Sequence, residues 1–390
     1  MPKALIKLRK SLARALRKAG PGAGVAVYDL TKHQFLFTLR ADVRRPPASV
    51  EKLYTTLAAV NRLGANATLP TSVLATGHLR PGGVWPGNLY LKGGGDPTFG
   101  DGAFNRTWEL GYGSTATELS QQLLATGIRR VQGKVIGDES LFDTRRGGPS
   151  TNFAPDLPDF GGELSALTYD HGSTLGGAHS PAAFAAKQLV QTLKAGHVKA
   201  TASPDTGTPP RGARTLATVT SPPLSVLLRL MDVPSDDLFA EMLTKQLGAR
   251  FARDGSIAAG ARVIAATIGR LYHLHPVIRD GSGLSRDDRS SPLEVVDLLR
   301  KVWRTPAGDQ LVASLPTVGV SGTTRRIANG TAAQGRCLAK TGTLNGVTNL
   351  AGFCHARGHR GLAFALFLDG PPNWQALPLE GQMVAALAAY

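Results

Sequence analysis

Apolar residues within the first 20 positions recur at three- and four-residue spacing, which is typical of an amphipathic helix. The helix is predicted to end near Gly20, and residues 1–20 hold many lysines and arginines but no acid. Two arrangements are open. The helix either packs its apolar stripe on the domain, which we expect, or lies on an anionic membrane surface. The stripe consists of Leu5, Leu8, Leu12 and Leu16.

Strand-like alternation follows, and then a second helix. Residues 24–40 alternate apolar and polar positions in two short runs around a turn, as expected for a pair of strands. The dipeptide Pro46-Pro47 breaks this pattern, and the residues after Ser49 predict a helix that ends at Gly64. Ser49 therefore lies at a helix N-terminus, where backbone N–H groups and the helix dipole favour developing negative charge.

The pattern of apolar and turn-forming residues changes between residues 69 and 220. Short apolar runs alternate there with Gly- and Pro-rich turns, which indicates a β-rich segment. Helical spacing interrupts the segment at residues 115–126 and 181–195. The Pro-, Thr- and Gly-rich stretch 201–214 predicts a hinge or an exposed loop.

Helical spacing returns at residue 221, and the chain ends in the order strand, turn, strand, helix. This order predicts one α/β (α+β) domain formed by residues 1–68 and 221–390. A β-rich inserted domain, residues 69–220, would split it.

The composition limits the classes of molecule that the chain is expected to bind. The formal net charge is +16, and a basic surface attracts polyanions such as anionic lipid or wall polymers. Aromatic residues make up 6% of the chain, too few for a base-stacking platform, so we expect no nucleic acid partner. No apolar run approaches the roughly 18 residues of a membrane span, and no secretory signal is visible. Metal-ligand spacings are also missing, so we expect neither a metal nor a cofactor.

Three short motifs could carry chemistry. Ser49 and Lys52 lie three residues apart at the start of a helix and hence on one face. The segment Ser285-Arg286-Asp287 follows a glycine-rich turn, and Lys340-Thr341-Gly342-Thr343 lies on a predicted strand. Each motif alone is common. Their order and their structural contexts together are those of the serine penicillin-binding proteins and β-lactamases.

The resemblance narrows to one family. Collinear segments from about residue 24 to residue 385 resemble the class C low-molecular-mass penicillin-binding proteins, the D-Ala-D-Ala carboxypeptidase/endopeptidase family. They include PASVEKLYTTLAAVNRLG, NLYLKGGGDPTF, SDDLFAEMLTKQLG, DGSGLSRDDR and AKTGTLNGVTNLAGF. The resemblance implies a penicillin-binding transpeptidase/β-lactamase-like domain with a large insert between the first two motifs. It also implies peptidoglycan stem peptides as substrates and β-lactams as ligands.

The residues themselves suggest how an acyl-enzyme would form on Ser49. A neutral serine hydroxyl is a poor nucleophile, so it needs a base within hydrogen-bond reach. Lys52, one helical turn along, is placed to be that base, and burial together with a second cation would favour its neutral form. Lys340 would supply the cation and would attract the free carboxylate that ends a D-Ala-D-Ala peptide.

Other motif residues receive supporting roles. We expect Ser285 to relay a proton to the leaving amine, and the hydroxyls of Thr341 and Thr343 to help bind the carboxylate. The backbone N–H groups of Ser49 and Thr343 would hold the oxyanion. Gly342 would let the strand approach the substrate without a Cβ in the way.

The middle motif departs from the family. It is normally Ser-x-Asn, and here Asp287 takes the third position. A carboxylate offers only acceptors and would stabilise the charged form of a nearby lysine. Three outcomes are open: Asp287 still positions substrate, activity is reduced, or the chain is an inactive homologue. We expect retained activity. Ser235-Asp236-Asp237 has a similar pattern, but its position before a helix favours a capping role.

The two cysteines allow a smaller prediction. If Asn345-Gly346 forms a two-residue hairpin turn, Cys337 and Cys354 lie directly opposite each other on neighbouring strands. A disulfide and two unrelated buried thiols are both open at this point.

Three functions compete. The first is an active serine D-Ala-D-Ala carboxypeptidase, for which additional endopeptidase activity on peptide cross-links is left open. The second is a catalytically impaired peptidoglycan-binding homologue, and the third a β-lactamase or esterase on the same site. We expect the first. The substrate lies outside the cytoplasmic membrane, so we also expect a periplasmic or cell-wall location.

Overall fold

A computed structural model describes residues 2–174 and 180–390. The helices are α1 (Lys3–Ala19), α2 (Lys52–Leu63), α3 (Gly102–Trp108), α4 (Ala116–Ala125), α5 (Leu157–Phe160), α6 (Pro181–Ala195), α7 (Leu224–Asp232), α8 (Asp237–Ala252), α9 (Ile257–Tyr272), α10 (Pro292–Val302), α11 (Pro306–Ser314) and α12 (Asn373–Ala388). The strands are β1 (Gly24–Asp29), β2 (Gln34–Leu39), β3 (Pro70–Ala75), β4 (Val84–Trp85), β5 (Leu89–Gly93), β6 (Arg130–Val131), β7 (Val135–Asp138), β8 (Ala202–Thr206), β9 (Arg214–Thr220), β10 (Cys337–Leu344), β11 (Val347–Ala356) and β12 (Arg360–Asp369).

The chain forms two compact units. The first comprises Met1–Ala65, Ser225–Ala240 and Ala261–Tyr390, and the second comprises Asn66–Leu224 and Glu241–Gly260. The sequence-based division differs mainly at residues 241–260, which it placed with the first unit. These residues join the second unit because of contacts such as that of Lys245, whose Nζ donates to Asp143 Oδ1 at 2.5 Å.

A five-stranded antiparallel sheet forms the centre of the first unit. Its strand order is β10-β11-β12-β1-β2, so the strand that carries Lys340 is an edge strand. The apolar side chains of β11 and β12 are buried almost throughout. This sheet and the helices of the unit form a mixed α/β (α+β) domain, as predicted.

Helix α1 contributes to the core of the first unit. Its leucine stripe is buried together with apolar residues of α12 and the sheet, among them Leu366 and Met383. The packed arrangement expected from the sequence is therefore confirmed, because the leucines are buried within the protein. The basic side chains of the helix point away from this core and are mostly exposed.

The hairpin of β10 and β11 has the predicted register. Gly346 adopts the left-handed conformation in the turn, where a side chain would be strained. Cys337 pairs directly with Cys354 across the two strands, and a disulfide links them. The disulfide closes the hairpin at the end opposite to the turn.

The second unit contains a mixed sheet in the order β8-β7-β5-β3-β9. The predicted helices are present as α4, with a capping box formed by Thr115 and Glu118, and as α6, with Ser180 as its N-cap. The prediction of a loop over residues 201–214 is partly wrong, because β8 lies within it. Pro204 is tolerated there because β8 is an edge strand.

None of the helices in the described residues is both long and apolar enough to cross a lipid bilayer.

Candidate active site

Ser49 lies in a 3-10 helix, Ala48–Glu51, that leads directly into α2. The backbone before it is held by Asn349 of β11, whose Nδ2 donates to the carbonyls of Pro46 and Pro47 at 3.0 Å each. Ala48 has a φ of 48°, a left-handed conformation that is uncommon for a residue with a Cβ. Such strained residues persist where the surroundings fix them. The half-buried side chain of Ser49 lines the cavity described below.

Lys52, the first residue of α2, is fully buried. Its Nζ donates to Ser49 Oγ at 3.1 Å, to Asp237 Oδ1 at 2.5 Å and to the carbonyl of Ser282 at 2.9 Å. An ammonium has three donors, so these contacts use all of them. The base candidate and the nucleophile candidate are thus in direct contact, and a carboxylate is paired with the base.

Lys340 reaches the same place from strand β10. It is fully buried, and its Nζ donates to Ser235 Oγ at 2.8 Å and to the carbonyl of Thr341 at 3.1 Å. Burial, and next to it the charge of Lys52, lower the pKa of Lys340 to about 7, although Asp232 and Asp237 oppose the shift.

Asp232 and Asp237 bring two carboxyl groups close to the two lysines. Burial raises the pKa of Asp232 to about 6, although Lys340 and hydrogen bonds from Ser314 and Thr56 counteract this rise. Burial also raises the pKa of Asp237, against the effect of Lys52. Two lysines and two aspartates therefore share one buried region, in which opposite charges stabilise each other.

Gly342 has a specific structural role. A Cβ at this position would lie 2.5 Å from the carbonyl oxygen of Pro47 and 3.1 Å from the nitrogen of Val50. The sequence-based explanation, close approach to substrate, is therefore incomplete, because the backbone that comes close is that of the turn carrying Ser49. Thr341 and Thr343, which flank the glycine, line the cavity beside Ser49.

The profile of the D-Ala-D-Ala carboxypeptidase 3 (S13) family matches residues 7–176 and 173–390. The chain belongs to this family. The family predicted from the sequence, and with it a serine-type D-Ala-D-Ala carboxypeptidase, is confirmed.

Individual relatives agree with this membership. The chain is similar to carboxypeptidase DacB of Mycolicibacterium smegmatis, with 32% identity over 95% of this chain and 82% of that protein. It is also similar to the D-alanyl-D-alanine carboxypeptidase of Actinomadura sp. (strain R39), with 27% identity over 95% of this chain and 82% of the relative. The crystal structure of penicillin-binding protein 4 from Haemophilus influenzae has the same fold. It matches with a TM-score of 0.79 and 20% identity over 97% of this chain and 99% of that one.

Among the described residues, neither Ser285 nor Asp287 is a hydrogen-bond partner of Lys52 or Lys340. Ser285 accepts a hydrogen bond from the backbone of Asp287 at 3.3 Å, and its own N–H donates to Asp280 Oδ2 at 2.7 Å. Asp287 is exposed. The assignment of Ser285 and Asp287 to the site therefore needs correction: their loop contacts Lys52 through the carbonyl of Ser282.

Ser235 and Asp237 occupy the position expected for Ser285 and Asp287. The predicted helix cap is correct for Asp236, whose Oδ1 accepts from the backbone N–H of Phe239 at 2.8 Å. Ser235 adopts a left-handed φ of 67°. The residues on either side of the cap, Ser235 and Asp237, contact Lys340 and Lys52. A signal was present: Ser235-Asp236-Asp237 begins one of the family-like segments and has the same Ser-x-Asp spacing.

Asp232 was also missed. It lies at the end of α7, and its Oδ2 accepts from Thr56 Oγ1 at 2.9 Å and from Ser314 Oγ at 2.7 Å. No local motif marks this residue, because its partners are distant in sequence.

Proposed function

We propose that this carboxypeptidase cleaves the terminal D-Ala from peptidoglycan stem peptides through an ester on Ser49. The observation that carries the proposal is the contact of Ser49 Oγ with Lys52 Nζ at 3.1 Å, in a cavity that Thr341 and Thr343 also line. A nucleophile and a base within hydrogen-bond reach are the requirement for covalent catalysis.

In the first half of the reaction, Lys52 accepts the proton of Ser49 while Oγ bonds to the carbonyl carbon of the penultimate D-Ala. The backbone N–H groups of Ser49 and Thr343 would stabilise the oxyanion, and removal of one such donor typically costs about 3 kcal/mol. Collapse of the intermediate breaks the C–N bond, and the leaving amine takes the proton. Water then hydrolyses the ester and restores the serine.

Ser235 is better suited than Ser285 to relay the proton to the leaving amine. Its Oγ accepts a hydrogen bond from Lys340 at 2.8 Å, and it lines the same cavity as Ser49. Lys340 in its charged form would attract the carboxylate of the terminal residue, with the hydroxyls of Thr341 and Thr343 as hydrogen-bond donors.

Asp237 distinguishes this site from the Ser-x-Asn pattern. Its carboxylate forms an ion pair with Lys52, and this pair must be disrupted when Lys52 acts as the base. We expect Asp237 to slow acylation at neutral pH without abolishing it. The same ion pair is the observation that favours the second candidate, a catalytically impaired peptidoglycan-binding homologue.

We infer a location outside the cytoplasmic membrane. Such a location would give access to the peptidoglycan substrate, and disulfides such as Cys337–Cys354 form and persist in oxidising compartments. The exposed face of α1 supports contact with anionic wall polymers or anionic lipid. Its cations lie on one face and are Lys3, Lys7, Lys10, Arg14, Arg17 and Lys18.

Release of D-Ala from a synthetic pentapeptide tests the proposal, with Ser49→Ala as the comparison. We expect release by the wild type and none above background by the variant. A wild type that binds the pentapeptide but releases no D-Ala would favour the impaired homologue. Rapid turnover of benzylpenicillin to penicilloate, without a long-lived adduct, would favour the β-lactamase.

A further inference from the structure

A second concave site lies within the first unit, at the end of the central sheet where the disulfide is found. Its volume is about 410 Å³, within the range for ligand pockets in proteins. None of the described residues lines both this pocket and the cavity that contains Ser49. Along β11, His355 lies four residues beyond Ala351, the partner of Lys340, which is about 13 Å. We call this site the guanidinium pocket, and its lining includes Tyr28, His33, Arg300, Trp303, Arg304 and His355.

The polar side chains of the guanidinium pocket are mainly hydrogen-bond donors. An arginine has five N–H donors and no acceptor, and none of the described lining residues is an aspartate or a glutamate. Arg300 Nε donates to Asp297 Oδ1 at 2.6 Å, so part of its charge is compensated. Arg304 is exposed and forms no ion pair with any residue in the described ranges. Its positive charge is therefore available to a ligand.

Two aromatic side chains give the pocket walls that are fixed by packing. The ring of Tyr28 meets Phe35 edge to face with a centroid distance of 5.0 Å, and Arg300 Cζ lies 5.5 Å from the same ring. The indole of Trp303 packs on Phe353 with a centroid distance of 4.9 Å. Walls that are already ordered lose little conformational freedom when a ligand binds.

Two lining residues have a backbone conformation that favours glycine. The angle φ is 54° at His33 and 61° at Arg304. A residue with a Cβ costs on the order of 1 kcal/mol or more in this left-handed region. His33 ends the turn between β1 and β2, which Asp29 holds through hydrogen bonds from the backbone. The chain thus carries an imidazole and a guanidinium at two strained positions, and both side chains line the same pocket. A binding role explains this coincidence.

We propose that the guanidinium pocket binds a phosphate monoester. Such a group carries about −1.5 to −2 charges at pH 7 and has three oxygens that accept hydrogen bonds. Arg304 supplies the uncompensated charge, and Arg300 and the two imidazoles add N–H donors. The organic part of the ester lies against the aromatic walls. A soluble phosphate ester and the headgroup of phosphatidic acid both have this chemistry. The site is separate from Ser49, so it does not depend on the acyl-enzyme.

Arg304→Gly tests the site without adding strain, because glycine adopts a φ of 61° freely. Isothermal titration calorimetry of the full chain with glycerol phosphate measures Kd. We expect Arg304→Gly to raise Kd by about ten-fold, the effect of losing one charge-assisted hydrogen bond. Ser49→Ala should leave Kd unchanged.

A matched control is available in the second unit. Arg253 is exposed, has a φ of 57° and does not line the guanidinium pocket. Arg253→Gly therefore removes the same charge from the same backbone conformation, and its Kd should equal that of the wild type. Succinate is the matched ligand, because it is a dianion without phosphate, and it should bind more weakly than glycerol phosphate.

Co-sedimentation with vesicles of phosphatidic acid and phosphatidylcholine distinguishes the two sources of the phosphate. Vesicle binding that Arg304→Gly weakens more than Arg253→Gly would assign the site to a lipid headgroup. Calorimetric binding that depends on Arg304, with vesicle binding equal in the two variants, would assign it to a soluble ester. The inference is overturned if the two variants behave alike in both assays, or if succinate binds as tightly as glycerol phosphate.

Discussion

Asp237 Oδ1 accepts a hydrogen bond from Lys52 Nζ at 2.5 Å, so a carboxylate is paired with the amine that contacts Ser49. The Ser-x-Asn pattern of the family would place a neutral amide there. Lys52 must disrupt this ion pair before it can accept the proton of Ser49. This relationship leads to the first prediction.

Asp237→Asn should increase the rate of acylation at neutral pH. The change removes the negative charge and keeps the shape, so Lys52 no longer has to disrupt an ion pair before it accepts the proton of Ser49. We expect labelling by a fluorescent penicillin to accelerate about ten-fold at pH 7, equivalent to about 1.4 kcal/mol. Asp287→Asn is the matched control, because Asp287 is exposed and its loop meets Lys52 through Ser282. Equal acceleration in both variants, or slower labelling of Asp237→Asn, would contradict this interpretation.

The two candidate middle serines should behave differently. Ser235→Ala removes the hydroxyl that contacts Lys340, and loss of a proton-transfer group typically slows a reaction by about 100-fold or more. Ser285→Ala removes a hydroxyl whose contact is the backbone of Asp287, so the acylation rate should stay near that of the wild type. Stopped-flow acylation with a chromogenic cephalosporin measures both variants. A slow Ser285→Ala beside a normal Ser235→Ala would return the role to Ser285.

Binding of carboxylate-terminated peptides should weaken above neutral pH. Burial and the charge of Lys52 lower the pKa of Lys340 to about 7, so its ammonium is lost as the pH rises through 7. We expect KM for a D-Ala-D-Ala peptide to rise between pH 6 and pH 9. The same peptide with an amidated C-terminus lacks the carboxylate, and its KM should change much less. Parallel pH profiles for the two peptides would show that Lys340 does not pair with the carboxylate.

Glu380 should make stability depend on pH. Burial raises its pKa from 4.5 to about 8 in the folded chain. Between these values the unfolded chain has lost the proton that the folded chain keeps, so the free energy of unfolding falls as the pH rises and levels off above pH 8. The effect is on the order of a few kcal/mol. Glu380→Gln removes it, so the variant should gain Tm relative to wild type from pH 5 to pH 8. A constant Tm difference across this range would rule out the titration.

The predictable parts of the fold were those set by local periodicity. The leucine stripe of α1, the presence of the strand pair β1 and β2, and the hairpin that aligns Cys337 with Cys354 all follow from spacing. The inward face of β2 did not follow, because Leu36 is buried and Phe35 is exposed. The location of β8 did not follow, because its pairing with β7 comes from distant residues.

The site was predictable where one element carries the motif. Ser49 and Lys52 share a helical face, and Lys340 lies beside Thr341 on a strand. The prediction of the middle motif was wrong, because Ser235 and Ser285 both begin a Ser-x-Asp pattern. Only the tertiary arrangement distinguishes the two serines. In the folded chain, α8 presents Asp237 to Lys52, while the loop of Ser285 turns its side chain towards its own backbone.

Intact-protein mass spectrometry after incubation with benzylpenicillin, with proteolytic mapping of the adduct, shows whether Ser49 is the nucleophile. We expect one penicilloyl group per chain, on the peptide that contains Ser49, and no adduct on Ser49→Ala. An adduct on another residue, or equal modification of the Ser49→Ala variant, would contradict it.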